Sequence, residues 1–421
     1  MPRRRALKRS PTRPVSELRG TLPCWVEIDL DRIATNVQSL RRWLGPAALA
    51  AVVKADGYAM GGVEIARAAL AAGAERLAVA RVHEAVDLRQ QGIAAPILVL
   101  SRTDPSEAVT AAHYGLTVTV DSLGLISALE EAAQRTGREV AVQLKVDTGL
   151  HRFGVEPERA LPLARALSDA NGLRVEAIWT HFASADASDL RTTEEQFRLF
   201  GRIVAQLESS GYQFQMRHAA NSAATIAYRE SHLDMVRVGL SLYGISPILP
   251  SPEMPLLLPA VSFKVRIARV MSVNSGETVG YGETWRATRP TRVALLTAGY
   301  ADGVPRTLSN RGHVVIGGAS AQILGRVSMD HTVVDVTDVA SAGAGSIATL
   351  FGDCENGQAV DIWETAGEAE TIPHEILTGV GPRVPRLYLR GGEVVRAARP
   401  VGSLDLRLGL GEAYPASGGL F

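Results

Sequence analysis

Between Leu49 and Val238 the chain repeats one unit: a short apolar run, a turn, then an amphipathic stretch. The runs are Leu49–Val53, Arg76–Ala80, Pro96–Leu100, Leu116–Val120, Val140–Val146, Val175–Thr180, Gln213–His218 and Met235–Val238. Helical patterns such as Gly62–Ala72, Val82–Gln90, Pro105–His113, Leu123–Arg135, Glu158–Asp169 and Thr192–Ser210 lie between them. The runs are short and β-branched-rich, which marks buried strands rather than helices. Strands alternating with helices run parallel, each helix being the crossover. Eight such units in about 200 residues fit a (β/α)8 barrel. The alternative, an open doubly wound sheet, calls for a glycine-rich phosphate loop after its first strand. No G-x-G-x-x-G occurs there.

The rhythm changes near residue 250. Ile248–Pro259 is rich in proline and leucine and reads as a linker. Beyond it the apolar runs follow one another without helices: Val261–Val273, Arg292–Ala298, His313–Ile316, Gln322–Leu324, Thr332–Val336 and Ile347–Phe351. Glycine and proline turns separate them, as in an all-β unit. The long run Val261–Val273 is expected to bend or bulge. The expected class is therefore α/β: an N-terminal TIM-like (β/α)8 barrel with a C-terminal all-β domain. The expected division is a basic tail at 1–23, the barrel at 24–250, the β domain at 251–402 and a loose tail at 403–421.

Lys plus Arg and Asp plus Glu both total 44, so no overall basic field exists to attract nucleic acid or an anionic membrane. Positive charge collects only in the first twenty residues, where Arg3, Arg4, Arg5, Lys8, Arg9, Arg13 and Arg19 face Glu17 alone. No apolar segment follows that could act as a secretory signal, and no run is long enough to span a membrane. Two cysteines, Cys24 and Cys354, are no disulfide framework. A cytoplasmic, reducing setting is the expectation.

In such a barrel the working side chains sit just past the C-terminal ends of the strands. Lys54 stands there after the first run, within Ala-Val-Val-Lys-Ala-Asp-Gly-Tyr. The fifth run carries Lys145 and leads into Asp147-Thr-Gly-Leu-His-Arg152. The sixth ends in Thr180-His181, the seventh in His218-Ala-Ala-Asn221-Ser222, and the eighth holds Arg237 before Gly239. A lysine closing an apolar run must be paired or have a lowered pKa. Such lysines form Schiff bases with carbonyl compounds, pyridoxal 5′-phosphate among them. Asn221-Ser222 before an apolar stretch reads as a helix N-cap, with donors suited to an anion. Each signal alone has a plain structural explanation. Their convergence on one barrel mouth suits an enzyme that binds a phosphorylated aldehyde.

Ten ordered blocks across Trp25–Tyr388 resemble the alanine racemase family. They are Trp25-Val-Glu-Ile-Asp-Leu; Ala51-Val-Val-Lys-Ala-Asp-Gly-Tyr58; Leu144-Lys-Val-Asp-Thr-Gly-Leu-His-Arg152; Thr180-His-Phe-Ala; His218-Ala-Ala-Asn-Ser-Ala-Ala; Val236-Arg-Val-Gly-Leu-Ser-Leu-Tyr-Gly244; Val279-Gly-Tyr-Gly; Gly299-Tyr-Ala-Asp-Gly-Val-Pro-Arg306; Gly325-Arg-Val-Ser-Met-Asp330; and Arg383-Val-Pro-Arg386. The resemblance implies a pyridoxal-phosphate racemase interconverting L- and D-alanine and supplying D-alanine for peptidoglycan. It implies Lys54 as cofactor-bearing lysine and one acid/base, and Tyr281 as the opposing one. Tyr58, Asn221, Ser222, Gly239 and Leu240 resemble the phosphate cradle. Arg237 resembles the arginine that faces the pyridine nitrogen, and His181 the histidine joining it to the tyrosine. Arg152 and the Met329 backbone resemble the substrate-carboxylate clamp. Lys145 resembles a lysine often carbamylated to orient Arg152. Tyr300, Arg306 and Arg326 resemble residues of the substrate entrance. Because Tyr281 is donated by the partner subunit in the family, a homodimer with shared sites is implied. No metal site is expected.

The chain departs from the family pattern at two places. Ala59-Met60 follows Tyr58 where Gly-His is usual, and Pro382 precedes Arg383 where some members place a phosphate-binding tyrosine. Asp302 and Asp330 are read as structural carboxylates paired near Arg306 or Arg326. Competing functions are a racemase for another amino acid, a barrel-type decarboxylase and a non-catalytic pyridoxal-phosphate binder. The decarboxylases usually carry a run of three glycines, which is absent here.

Overall fold

A computed structural model describes residues 19–355 and 357–398. Both expected tails therefore lie mostly outside the described residues. Eight parallel strands form the first sheet, running in space from Met216–His218 through Leu173–Trp179, Val140–Lys145, Thr117–Val120, Ile97–Val99, Arg76–Val79 and Ala48–Val52 to Met235–Val238. The two outer strands meet across a seam bridged by Asp234 N–H to the Arg217 carbonyl (3.1 Å) and Arg237 N–H to the Ala220 carbonyl (3.0 Å). The sheet thus nearly closes on itself as a barrel. Its strands are short and buried on both faces, which is why they read as continuous apolar runs.

Helices wrap the outside where the 3.6-residue pattern places them. Val82–Gln90 and Leu123–Thr136 fall on their expected segments, and Arg191–Ser209 presents Phe200, Ile203, Val204 and Leu207 to the core. The stretches starting at Pro105 and Glu158 open instead as short 3₁₀ turns, Pro105–Glu107 and Pro157–Arg159, before the helices proper. Proline at the first position suits such an opening, because its missing N–H would have had no partner there.

The second domain is a ten-stranded β sheet that also carries the short helices Ile362–Glu368 and Pro373–Thr378. Its spine is Val261–Val273, which pairs with Ile347–Asp353 at one end and Thr291–Leu296 at the other. Register shifts occur between Phe263 and Lys264 and between Ile267 and Arg269, so the strand bends as its length demands. The sequence reading grouped Cys24–Asp29 with the barrel. This strand lies instead in the second sheet, antiparallel to Val261–Val273 and parallel to Arg386–Arg390. The first described strand therefore belongs to the β domain, and from it the chain crosses through helix Leu30–Leu44 into the barrel and later returns.

The return is stapled by one buried amide. Asn36, on that crossing helix, donates to the Leu242 and Leu258 carbonyls (3.0 and 2.9 Å) and accepts from Leu258 N–H (2.7 Å). A fully bonded buried amide of this kind fixes the linker without leaving a polar atom unpaired.

Candidate functional site

Lys54 follows the strand Ala48–Val52 and begins a turn of unusual hand. Ala55, Asp56, Gly57, Tyr58 and Ala59 have φ of 52°, 51°, 60°, 58° and 64°, a complete left-handed turn. Each non-glycine residue costs roughly 1–2 kcal/mol in that region. The surroundings hold it in place. Ala55 N–H donates to Glu84 Oε1 (2.6 Å) and Gly62 N–H to Asp56 Oδ1 (2.7 Å). Tyr243 Oη donates to the Gly57 carbonyl (2.5 Å). From the β domain, Arg386 Nε donates to the Ala59 carbonyl (2.9 Å) and Tyr388 Oη to the Met60 carbonyl (3.0 Å). At the departure Ala59-Met60 the backbone carbonyls receive these bonds from the β domain, while the Met60 side chain is fully buried in the core.

The turn lowers Tyr58 into the barrel mouth. There Tyr58 is packed so closely on Gly239 that a Cβ at 239 would lie 2.1 Å from its hydroxyl oxygen. Gly239 N–H donates to Ser222 Oγ (2.9 Å). Asn221 caps helix Ser222–Ala227 through Oδ1 to Ala224 N–H (2.9 Å), so the N-cap reading holds.

Arg237 is buried on the strand Met235–Val238 and is bonded to neutral acceptors. Nη1 donates to His218 Nδ1 (2.6 Å), and Nη2 to the Thr180 and Ala219 carbonyls (2.9 and 2.8 Å) and His181 Nδ1 (3.1 Å). Burial pulls its guanidinium down to about 9, which leaves it a cation at neutral pH. Because arginine can only donate, both histidines must offer a bare Nδ1. His218 then carries its proton on Nε2, directed at Gln143 Oε1 (2.9 Å). Burial and then the Arg237 charge push both histidines well below the usual imidazole range, so they stay neutral. The line continues from Gln143 Nε2 to Glu176 Oε2 (3.4 Å), which Arg76 Nη1 neutralises at 2.9 Å. A polar chain thus runs through the barrel core beneath Arg237.

Burial, and then Arg152, lower the pKa of Lys54, against a raising effect from Glu84. Lys145 is fully buried, donates to the Phe153 carbonyl and lies 3.5 Å from the Phe153 ring centroid. Burial pulls its ammonium down to about 8.

One cavity of about 810 Å³ gathers Lys54, Tyr58, Arg152, His181, Asn221, Ser222, Arg237, Gly239 and Leu240. His374, from helix Pro373–Thr378, lines it too, and no motif signalled it. Pro382 is exposed and does not line the cavity, so the phosphate contact expected to be lost there has no counterpart at that position. A second cavity of about 970 Å³ lies between the linker and Trp363. Its ionisable lining groups are Asp186, Asp361 and Tyr243, and none of the predicted residues lines it.

Tyr281, Tyr300, Met329, Arg306 and Arg326 do not line the Lys54 cavity. They belong to the β domain instead. A Cβ at Gly282, next to Tyr281, would lie 2.9 Å from Arg326 Nη1. Tyr300 N–H donates to the Ser328 carbonyl (3.0 Å) and Ala301 N–H to the Met329 carbonyl (3.0 Å). Tyr281, Met329 and Tyr300 are 73%, 53% and 43% exposed. Asp302 and Asp330 are structural, but their common partner is Arg383 rather than Arg306 or Arg326. Arg383 binds Asp302 at 2.7 and 2.9 Å and Asp330 at 2.7 Å.

These donors suit pyridoxal phosphate: an amine with a lowered pKa, a fixed cation, and a cradle made tight by Gly239. The sequence matches the family model described as alanine racemase, N-terminal domain, over residues 28–247, and that described as alanine racemase, C-terminal domain, over 260–388. It is 43% identical to an alanine racemase of Desulforamulus reducens over 370 residues, covering 87% of this chain and 99% of that protein. It resembles the crystal structure of alanine racemase from Streptomyces lavendulae, with TM-score 0.82, 37% identity, and 91% and 98% of the two chains covered. A Bartonella henselae alanine racemase with covalently bound pyridoxal phosphate matches with TM-score 0.80 at 28% identity, over 87% of this chain and all of that one. The chain belongs to the alanine racemase family.

Proposed function

We propose that this protein interconverts L- and D-alanine with pyridoxal 5′-phosphate on Lys54, using Lys54 and Tyr281 of the partner subunit as opposed bases. The observation that carries the reading is Arg237, a buried group that is cationic at neutral pH, bonded to neutral groups and opening on the same cavity as Lys54. The cofactor, when bound, withdraws electrons from the amino-acid α-carbon and so makes its hydrogen acidic. Arg237, were it to face the ring nitrogen, would donate a hydrogen bond while staying a cation at neutral pH, rather than protonating the ring. That limits the electron sink and favours prompt reprotonation over side reactions.

Racemisation removes a proton from one face and returns one to the other, so two bases should flank the substrate. Lys54 supplies one, its lowered pKa leaving more free amine near neutrality. Arg152, at the cavity rim, and the Met329 backbone would hold the substrate carboxylate. Lys145, buried with a lowered pKa, is suited to carbamylation, which would give Arg152 an anionic neighbour.

The exposed cluster of Tyr281, Tyr300 and Met329 supports the shared site. Exposed aromatic and methionine side chains suit an interface, and here they include the proposed second base. Tyr300, Arg306 and Arg326 then border the substrate entrance. We place the product, D-alanine, in peptidoglycan assembly on the family resemblance.

The test is a racemisation panel across the common amino acids, run from both enantiomers on protein saturated with pyridoxal phosphate. Alanine should turn over fastest in both directions. A protein that binds the cofactor and racemises no amino acid would overturn the reading; a faster turnover of serine or a basic amino acid would replace its substrate.

A further inference from the structure

The hydrogen bonds beneath Arg237 all run one way. Arg237 Nη1 donates to His218 Nδ1 (2.6 Å), His218 Nε2 to Gln143 Oε1 (2.9 Å), and Gln143 Nε2 to Glu176 Oε2 (3.4 Å). All four side chains are buried. Arg76 meets Glu176 Oε2 and Arg174 meets its Oε1, each at 2.9 Å. The chain thus starts at a cation that only donates and ends at a carboxylate that only accepts.

A carboxylate inside a barrel is costly to desolvate, and a local irregularity puts this one there. Val142 pairs with Val175 but Gln143 with Ala177, so Glu176 is the extra residue of a bulge. Bulges re-aim side chains, and this one brings the carboxylate to the Gln143 amide.

The two ends of that amide are not equivalent. A neutral histidine carries one N–H, and Arg237 leaves it only Nε2. Reversing the amide would set its NH2 against that N–H, donor on donor. Glu176 opposes the reversal, because it needs the NH2 on its own side. Trp179, stacked on His218 at 5.5 Å with 12° between the rings, fixes the plane of the imidazole. Were the acceptor lost or reversed, the imidazole proton would gain from moving to Nδ1. There it would face the Arg237 donor and push the guanidinium aside.

We infer that Gln143, anchored by Glu176, is a positioning residue that holds Arg237 in place through the His218 tautomer. The inference rests on the proposed place of Arg237 against the cofactor ring. It adds two residues from deeper in the barrel that no motif signalled and that do not line the cavity.

Two variants of the cofactor-loaded protein separate this role from packing. Gln143→Met keeps the volume and removes the acceptor. Gln143→Glu keeps the acceptor: two facing carboxyls share a proton, so the one at 143 donates to Glu176 and accepts from His218 through its other oxygen. Packing alone would favour methionine over a second buried carboxyl. The inference reverses that order. Gln143→Met should raise transamination per alanine turnover by about tenfold, the weight of one lost buried hydrogen bond. It should add a long-wavelength absorption band during turnover and leave KM for alanine near the parent's. In nitrogen-15 spectra of histidine-labelled protein, with His218 assigned from His218→Gln, a proton on Nδ1 should appear beside that on Nε2. Gln143→Glu should keep the parent's His218 signals and its ratio of transamination to racemisation. Gln143→Leu takes the place of Gln143→Met if the latter does not load cofactor. Parent-like transamination or parent-like His218 signals in the apolar variant would overturn the inference, as would equal disturbance in both variants. Arg237→Glu, assayed alongside, separates the two readings. If it alone raises transamination, only the role of Gln143 falls. If it too leaves transamination unchanged, the place of Arg237 at the ring falls, and the role of Gln143 with it.

Discussion

In the proposed reaction, Arg237 and Tyr281 are the residues on which specificity turns. The Arg237 guanidinium is fixed by four neutral acceptors, so replacing it with a carboxylate changes the charge presented to the cofactor. Arg237→Glu should slow racemisation by at least about a hundredfold. It should also add a long-wavelength absorption band during turnover and raise transamination per turnover. A folded, cofactor-loaded variant that racemises at the parent rate with no new band would place Arg237 away from the ring. For Tyr281→Phe, racemisation should fall by about 10²–10⁴-fold, the usual worth of a positioned acid/base. By the family resemblance Lys54 serves the D-face, so solvent exchange of the α-hydrogen of D-alanine should survive in that variant. Equal loss of exchange from both enantiomers would contradict the division of labour. Their places at strand ends brought Lys54 and Arg237 forward in the sequence, and the structure lines one cavity with both, whereas Tyr281 came forward only through the family resemblance. His374 was not legible: a lone histidine after a proline carries no pattern, and its neighbour Tyr58 is more than three hundred positions away. The partner of Asp302 and Asp330 was misjudged for the same reason, since Arg383 reaches them only through the fold.

Among the elements, the left-handed turn after Lys54 has the greatest consequence for the site. Its strain is borne by contacts from both domains, and Gly61 is where they meet. Gly61 has φ of 91°, and a Cβ there would fall 1.8 Å from the Tyr388 hydroxyl oxygen. Tyr388 is buried and cannot move aside. Gly61→Ala should therefore destabilise by about 2 kcal/mol or more, read as a lowered denaturant midpoint. Cofactor affinity should fall with it, because the same displacement frees the turn that carries Lys54 and Tyr58. A midpoint within error of the parent would show that the turn is not held from the β domain. The polar chain through the barrel makes a second prediction at this scale. His218 is neutral when folded and has its pKa lowered, whereas the unfolded chain protonates near pH 6.5. Unfolding therefore takes up a proton below that pH, so stability is kept above it and is lost as pH falls. His218→Gln should flatten the melting-temperature profile between about pH 7 and pH 5. An unchanged slope would exclude His218 as a source of it. Periodicity located the barrel strands and most helices, since a buried strand and an amphipathic helix each mark the local sequence. It gave no sign of the turn, where only one of five left-handed residues is glycine. It also missed the strands Arg386–Arg390 and Glu393–Ala398 and the two short helices of the β domain.

At the scale of the whole molecule, each domain completes the other. Cys24–Asp29 begins the chain's path inside the β sheet, and Arg386 and Tyr388 return from that sheet to hold the lysine turn. Strand pairing across more than two hundred residues leaves no local mark, so the first strand read as part of the barrel that follows it. The lysine cavity contains one proposed base, and the other lies exposed on the β domain's surface. Two copies related by a twofold axis would bring each exposed tyrosine to the other's cavity. Mixing Lys54→Ala protein with Tyr281→Phe protein tests this most directly. Each should be nearly inactive alone, but a mixed dimer would hold one intact site, formed by Lys54 of one chain and Tyr281 of the other. Random exchange at equal amounts should restore about one quarter of the parent's alanine racemisation. Demonstrated subunit exchange with no activity above the two separate variants would contradict the shared two-base site.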